Sequence, residues 1–158
     1  MTNIAFFTEN GFTGKVPRNH NNMRTEYSWM VATDAYHFNI HGPYEEIGTY
    51  DLGIVIVPKN NPEVDMDRIR LVCGKVAIIQ EGPSWFWQDY DITNQIHFYN
   101  TLVEADFLLC HNEIDRKYYS GLTGKSVHIL QSLMIEDTIM ESEVKKDAVI
   151  IGGNFVSW

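Results

Sequence analysis

Short apolar runs recur along the chain with amphipathic stretches between them. Ile4-Ala5-Phe6-Phe7-Thr8 is continuous rather than alternating and gives way to a polar, glycine-containing stretch, so it reads as a strand covered on both faces. Gly53-Ile54-Val55-Ile56-Val57, stopped by Pro58, and Val76-Ala77-Ile78-Ile79, stopped by Gly82-Pro83, repeat the plan. So do the runs 107–110, 127–130 and 149–151, while 36–40 is weaker. Between them, Met23, Tyr27, Met30 and Val31 fall on one helical face behind Asn21-Asn22, either of which can cap. Asn61-Pro62-Glu63 sets a cap, a first-turn proline and an acid in order, for a helix that Gly74 closes. Ile92, Ile96, Tyr99, Leu102 and Val103 form a third amphipathic stretch, and Asn112 caps a fourth from Glu113 to about Tyr119, before Gly121.

Strands alternating with helices predict an α/β fold: a three-layer, Rossmann-like domain with a mostly parallel sheet and helices on both faces. The 158 residues suffice for one core without a disulfide or metal staple. Residues 1–135 are expected to form that domain, and the acidic stretch 136–147 a linker or surface helix. A further strand then leads through Gly152-Gly153 to Phe155-Val156-Ser157-Trp158, so 148–158 reads as the start of a second, truncated domain.

Charge sharpens the picture. The chain carries a net charge of −9, which argues against binding nucleic acid through its phosphates. Between Val76 and Asp115 there is no Lys or Arg but seven acids, whereas Asn10 to Thr25 holds Lys15, Arg18 and Arg24 and no acid. No apolar run is long enough to span a membrane, and Met1-Thr2-Asn3-Ile4 has neither the basic start nor the long apolar stretch expected of a signal peptide. Cys73 and Cys110 sit in apolar surroundings, as small hydrophobes of a reducing compartment do, so the expected location is cytoplasmic.

Three segments could carry chemistry. In a doubly wound fold ligands bind at the carboxyl ends of strands, and the first βα loop commonly meets phosphate. Here that loop is Glu9 to His20, in which Gly11 and Gly14 let the backbone approach an anion and Lys15, Arg18 and His20 add positive charge. It has neither the G-x-G-x-x-G fingerprint nor the P-loop spacing, so a solvated loop with turn glycines is an equal reading. The second segment, Gln80 to Tyr90, packs Trp85, Phe86, Trp87 and Tyr90 among Glu81, Gln88 and Asp89. Aromatic faces stack on sugars while carboxylates and amides take hydroxyls; a hydrophobic plug is the bland alternative. The third, Cys110-His111-Asn112-Glu113, ends a strand with a histidine that could orient a ligand. The histidines lack metal-ligand spacing, and no nucleophile elbow or paired carboxylates stand out, so no catalytic residue, metal or cofactor is assigned.

The order of these segments, from Asn22-Met23-Arg24-Thr25-Glu26-Tyr27 opening a helix, through Tyr50–Ile56 and the Glu81-Gly82-Pro83 edge, to Glu104-Ala105-Asp106-Phe107-Leu108-Leu109-Cys110-His111-Asn112-Glu113, resembles the N-terminal half of GT-B glycosyltransferases of the retaining, two-domain type. The resemblance implies sugar transfer from a nucleotide-sugar donor, held mostly by a second domain, to a hydroxyl acceptor. It implies phosphate contacts for Gly11, Gly14 and Lys15 and an acceptor border formed by Glu81, Trp85 and His111. Trp87 and Asp89 join that border, and Arg18 and His20 the phosphate side, from the residue pattern above. Two departures are visible: a longer Gly11-Phe12-Thr13-Gly14 loop, and Gln80-Glu81 where the family often has a histidine. The aromatic loop would receive a second domain or a dimer partner. Two other readings stand beside this one. A flavodoxin-like module would hold phosphate at Thr8–Lys15 and a flavin ring beside Trp85 or Tyr90. A non-catalytic docking domain would use the aromatic loop to bind protein.

Overall fold

The computed structural model describes residues 2–9, 11–19, 25–44, 48–58, 61–80 and 84–133, the side chains of 25 and 84–86 excepted. The expected strand at 149–151, the linker and the second-domain start lie outside the described residues, as does Met23.

The apolar runs become strands. β1 (Ile4–Thr8), β3 (Tyr36–Asn39), β4 (Tyr50–Val57), β5 (Cys73–Gln80), β6 (Phe107–Cys110) and β7 (Val127–Ile129) run parallel. A two-residue β2 (Gly14–Lys15) pairs antiparallel with β3, and the order across the sheet is β2-β3-β1-β4-β5-β6-β7. The chain therefore starts inside the sheet, steps outward to β3, crosses back over β1 to β4, and proceeds strand by strand to β7. Right-handed crossovers then place α1 (Thr25–Ala32) on one face and α2 (Met66–Arg70), α3 (Ile92–Glu104) and α4 (Glu113–Thr123) on the other.

The core divides accordingly. Because neighbouring residues of a strand point to opposite faces, Phe6, Ile54, Ile56 and Ile79 pack with Trp29 and Met30 of α1. Phe7, Val55, Val57 and Ile78 pack with Ile69, Phe98, Leu102 and Tyr119. Each such side chain, fully enclosed, contributes about 1.5–3 kcal/mol of transfer free energy. The fold is the three-layer, Rossmann-like α/β arrangement that the runs predict.

Three local expectations are corrected. The second helix starts at Met66, not Pro62, because Asp65 caps it by accepting the Arg68 N–H at 3.1 Å. The Pro62 carbonyl instead accepts from the Thr101 hydroxyl of α3 at 3.3 Å, and Gly74 falls inside β5. The third helix is rotated: it buries Phe98, Thr101 and Leu102 and leaves Ile92, Ile96 and Tyr99 exposed at 69%, 53% and 40%. The fourth helix continues through Gly121 and stops at Gly124, whose φ of 69° makes the left-handed cap.

Candidate functional site

All six parallel strands end on one edge, so the residues that matter there are those closing each strand. β1 ends on Thr8, whose Oγ1 lies 2.8 Å from Nε2 of His37 on β3. His37 is fully buried, with Phe12 and Tyr27 edge-on to its ring at 4.9 and 5.8 Å. Burial lowers its pKa to about 4, so the imidazole is neutral, and Nδ1 has no hydrogen-bond partner. The following loop is held down where the Asn39 amide donates to the Glu9 carbonyl at 2.9 Å. Gly11 sits so close to β3 that an added Cβ would lie 1.9 Å from the Phe38 carbonyl oxygen. Only glycine fits that approach.

β5 ends on Gln80, which is 4% exposed. The Tyr119 hydroxyl, from α4, donates a short hydrogen bond to Gln80 Oε1, which fixes the orientation of the amide and leaves Nε2 buried without a partner. Burial, reinforced by the nearby Asp115 charge, pushes the Tyr119 pKa well above the usual phenol value, so Tyr119 is a donor and not a phenolate. Asp115 is itself buried one helical turn before Tyr119 and accepts from the Asn112 amide at 2.8 Å. Trp87, in the 3-10 helix Ser84–Asp89, is half-buried against Phe98 and Tyr118 with ring centres 5.8 and 6.3 Å away. Its indole N–H also lacks a partner. A buried polar group without a partner costs about 1–3 kcal/mol, so an acceptor oxygen that reached either donor would be stabilised there.

β6 ends on Cys110-His111. The His111 ring stacks on Trp29 of α1 (6.0 Å, 18°), and the Trp29 indole donates to the Gln131 carbonyl at 2.7 Å. Burial raises the Cys110 thiol pKa, and its Sγ faces the Asn112 and His128 carbonyls at 3.4 and 3.7 Å, so it is an inert core thiol. Burial pushes the Cys73 thiol up to about 12.

The expected site residues therefore divide. His111 and Trp87 stand at the carboxyl edge, Trp87 partly as a plug, and Asp89 is exposed beside it. Gly11 follows β1 as expected. Lys15 sits elsewhere: in β2 it pairs with Tyr36, the first residue of β3, and its ammonium bonds Asp34 at 2.5 Å. That places it toward the amino end of the sheet, because the antiparallel turn of β2 carries the chain back along β3. Gly14 shares that strand (φ 148°) and Arg18 is exposed in the turn beyond it. His20, Glu81 and the Trp85 side chain lie outside the described residues. Sequence reasoning included Gln80 and Thr8 in candidate segments without singling either out, although each is a polar residue closing an apolar strand, and it missed Tyr119 and His37.

Among the described residues, no three His, Cys, Asp or Glu side chains are grouped to hold a metal ion, and no helix is long and apolar enough to cross a membrane. In comparisons with family models, curated proteins and solved structures, nothing matches the chain.

Proposed function

We propose that this domain is the acceptor-side half of a glycosyltransferase, which moves a sugar from a nucleotide-sugar donor to a hydroxyl acceptor held at the carboxyl ends of β5 and β6. One observation carries the reading: the enclosed Gln80 amide, oriented by Tyr119, whose Nε2 has donors and no acceptor. A neutral hydroxyl oxygen satisfies such a donor, and Trp87 offers a second N–H in aromatic surroundings. The run from Val76 to Asp115, without Lys or Arg, disfavours an anionic acceptor group. The donor's diphosphate would be held mostly by a second domain. Within this chain the backbone around Gly11, rather than Lys15, is the element near enough to the edge to meet it. Developing charge on the leaving diphosphate would be stabilised by N–H groups already in place.

The test combines binding and transfer. Neutral monosaccharides added to the isotope-labelled protein should shift the amide signals of Gln80, Trp87 and residues 111–119, and transfer from UDP- or GDP-sugars should fall when Gln80→Leu is introduced. Unmoved signals together with no transfer from either donor class would overturn the reading.

The strand order favours one other reading. β3-β1-β4-β5-β6 is the 2-1-3-4-5 order of flavodoxin-like folds, in which ligands sit at the β1/β4 switch point. Flavin titrated into the protein should then quench; unchanged flavin fluorescence removes this alternative.

A further inference from the structure

The least expected feature of so acidic a chain is a basic cavity between α4 and β7. It is an open concavity of about 620 Å³ lined by Arg116, Lys117, Lys125 and His128 together with Ser120 and Ser126. No acid lines it. Three of the twelve Lys and Arg residues thus converge on one concavity of a protein whose net charge is −9. It runs along α4 from Arg116 to Gly124 and beside the start of the edge strand β7.

We propose that this cavity is a second ligand site, which binds a phosphate group. The donors are in place. Glu113 takes Nε and Nη2 of Arg116, at 2.7 and 2.6 Å, which leaves Nη1. The Lys125 ammonium spends one of its three hydrogens on the Ala105 carbonyl, at 2.6 Å. Two serine hydroxyls complete a set suited to the several acceptor oxygens of a phosphate. The carboxyl end of α4 puts partial negative charge at this corner, which taken alone repels an anion; the Lys117 and Lys125 charges outweigh it, Arg116 being shared with Glu113. The acids close by are already engaged: Glu113 with Arg116, and Asp115 with Asn112 inside the fold. The volume exceeds what a bare phosphate fills and falls in the range of small-molecule pockets, so the phosphate would be one end of a larger ligand. That ligand is either a soluble phosphomonoester or a phospholipid headgroup. The proposal does not rest on the sugar-transfer reading.

The experiment uses the whole chain and two probes. Inorganic phosphate, titrated against chloride at constant ionic strength, should shift the amides of Lys117, Lys125, Ser126 and His128 saturably. Lys117→Glu, an exposed change that leaves the core untouched, should weaken the response about tenfold, the worth of one hydrogen bond to a charged group. Co-sedimentation with phosphatidic acid vesicles, absent with phosphatidylcholine alone and lost in Lys117→Glu, identifies a headgroup as the source. Saturable phosphate binding without vesicle binding identifies a soluble ligand. Equal responses to phosphate and chloride, with no vesicle binding, would overturn the proposal.

Discussion

At the scale of a single residue, His37 is the group whose chemistry differs most from its ordinary state. One ring nitrogen meets Thr8 Oγ1, the other meets no hydrogen-bond partner, and aromatic rings close on it. Its folded pKa of about 4 lies below the unfolded value of 6.5, so between those pH values the unfolded chain binds more protons than the folded one. His37 therefore costs no stability above about pH 6.5, and stability falls as the pH drops from there toward 4. The slope approaches about 1.4 kcal/mol per pH unit in that window and flattens below it. Urea midpoints across the window should show this fall, and His37→Gln, which keeps a partner for Thr8 but does not titrate, should remove most of it. A parallel decline in both proteins would assign the acid sensitivity to other groups.

At the scale of an element, α4 shows how a helix start is written. Asn112 accepts the Asp115 N–H at 2.9 Å and also donates to the Asp115 carboxylate, so one side chain satisfies an orphan backbone donor and a buried acid. Asn112→Ala should lower stability by about 1–2 kcal/mol in denaturant titrations, and Asn112→Ser should recover the backbone part. This cap was legible because cap and helix are contiguous in sequence. The strands were legible for a related reason: a strand covered on both faces is apolar throughout, whatever packs on it. What escaped depends on distant partners. The start of α2 is set by Asp65 and by Thr101 claiming the Pro62 carbonyl, and the buried side of α3 by the space that Phe98 fills beneath Trp87. The place of Lys15 in β2 was not legible because a two-residue strand leaves no periodic trace. Gln80 and Tyr119 are 39 residues apart, so their hydrogen bond has no signature in either segment.

At the scale of the whole molecule, the question is whether that buried polar pair serves the fold or a ligand. The two roles make different energetic demands. Gln80→Leu would strand the Tyr119 hydroxyl in the core, and Tyr119→Phe would strand the Gln80 carbonyl beside an amide nitrogen that already lacks a partner. Each single change should cost about 1–3 kcal/mol. Replacing both removes the unsatisfied groups of this pair at once, and apolar substitution of a whole polar pair is often neutral or better. A pair retained for ligand binding therefore predicts strong non-additivity: the double variant should be about as stable as the parent, yet should no longer bind neutral sugars. A pair retained for folding predicts a double variant at least as damaged as the worse single one. Denaturant midpoints of the four proteins, read beside their sugar-induced amide shifts, decide between the two. Recovered stability with unchanged sugar binding would remove Gln80 from the proposed acceptor site and leave the carboxyl edge of β5 without its proposed role.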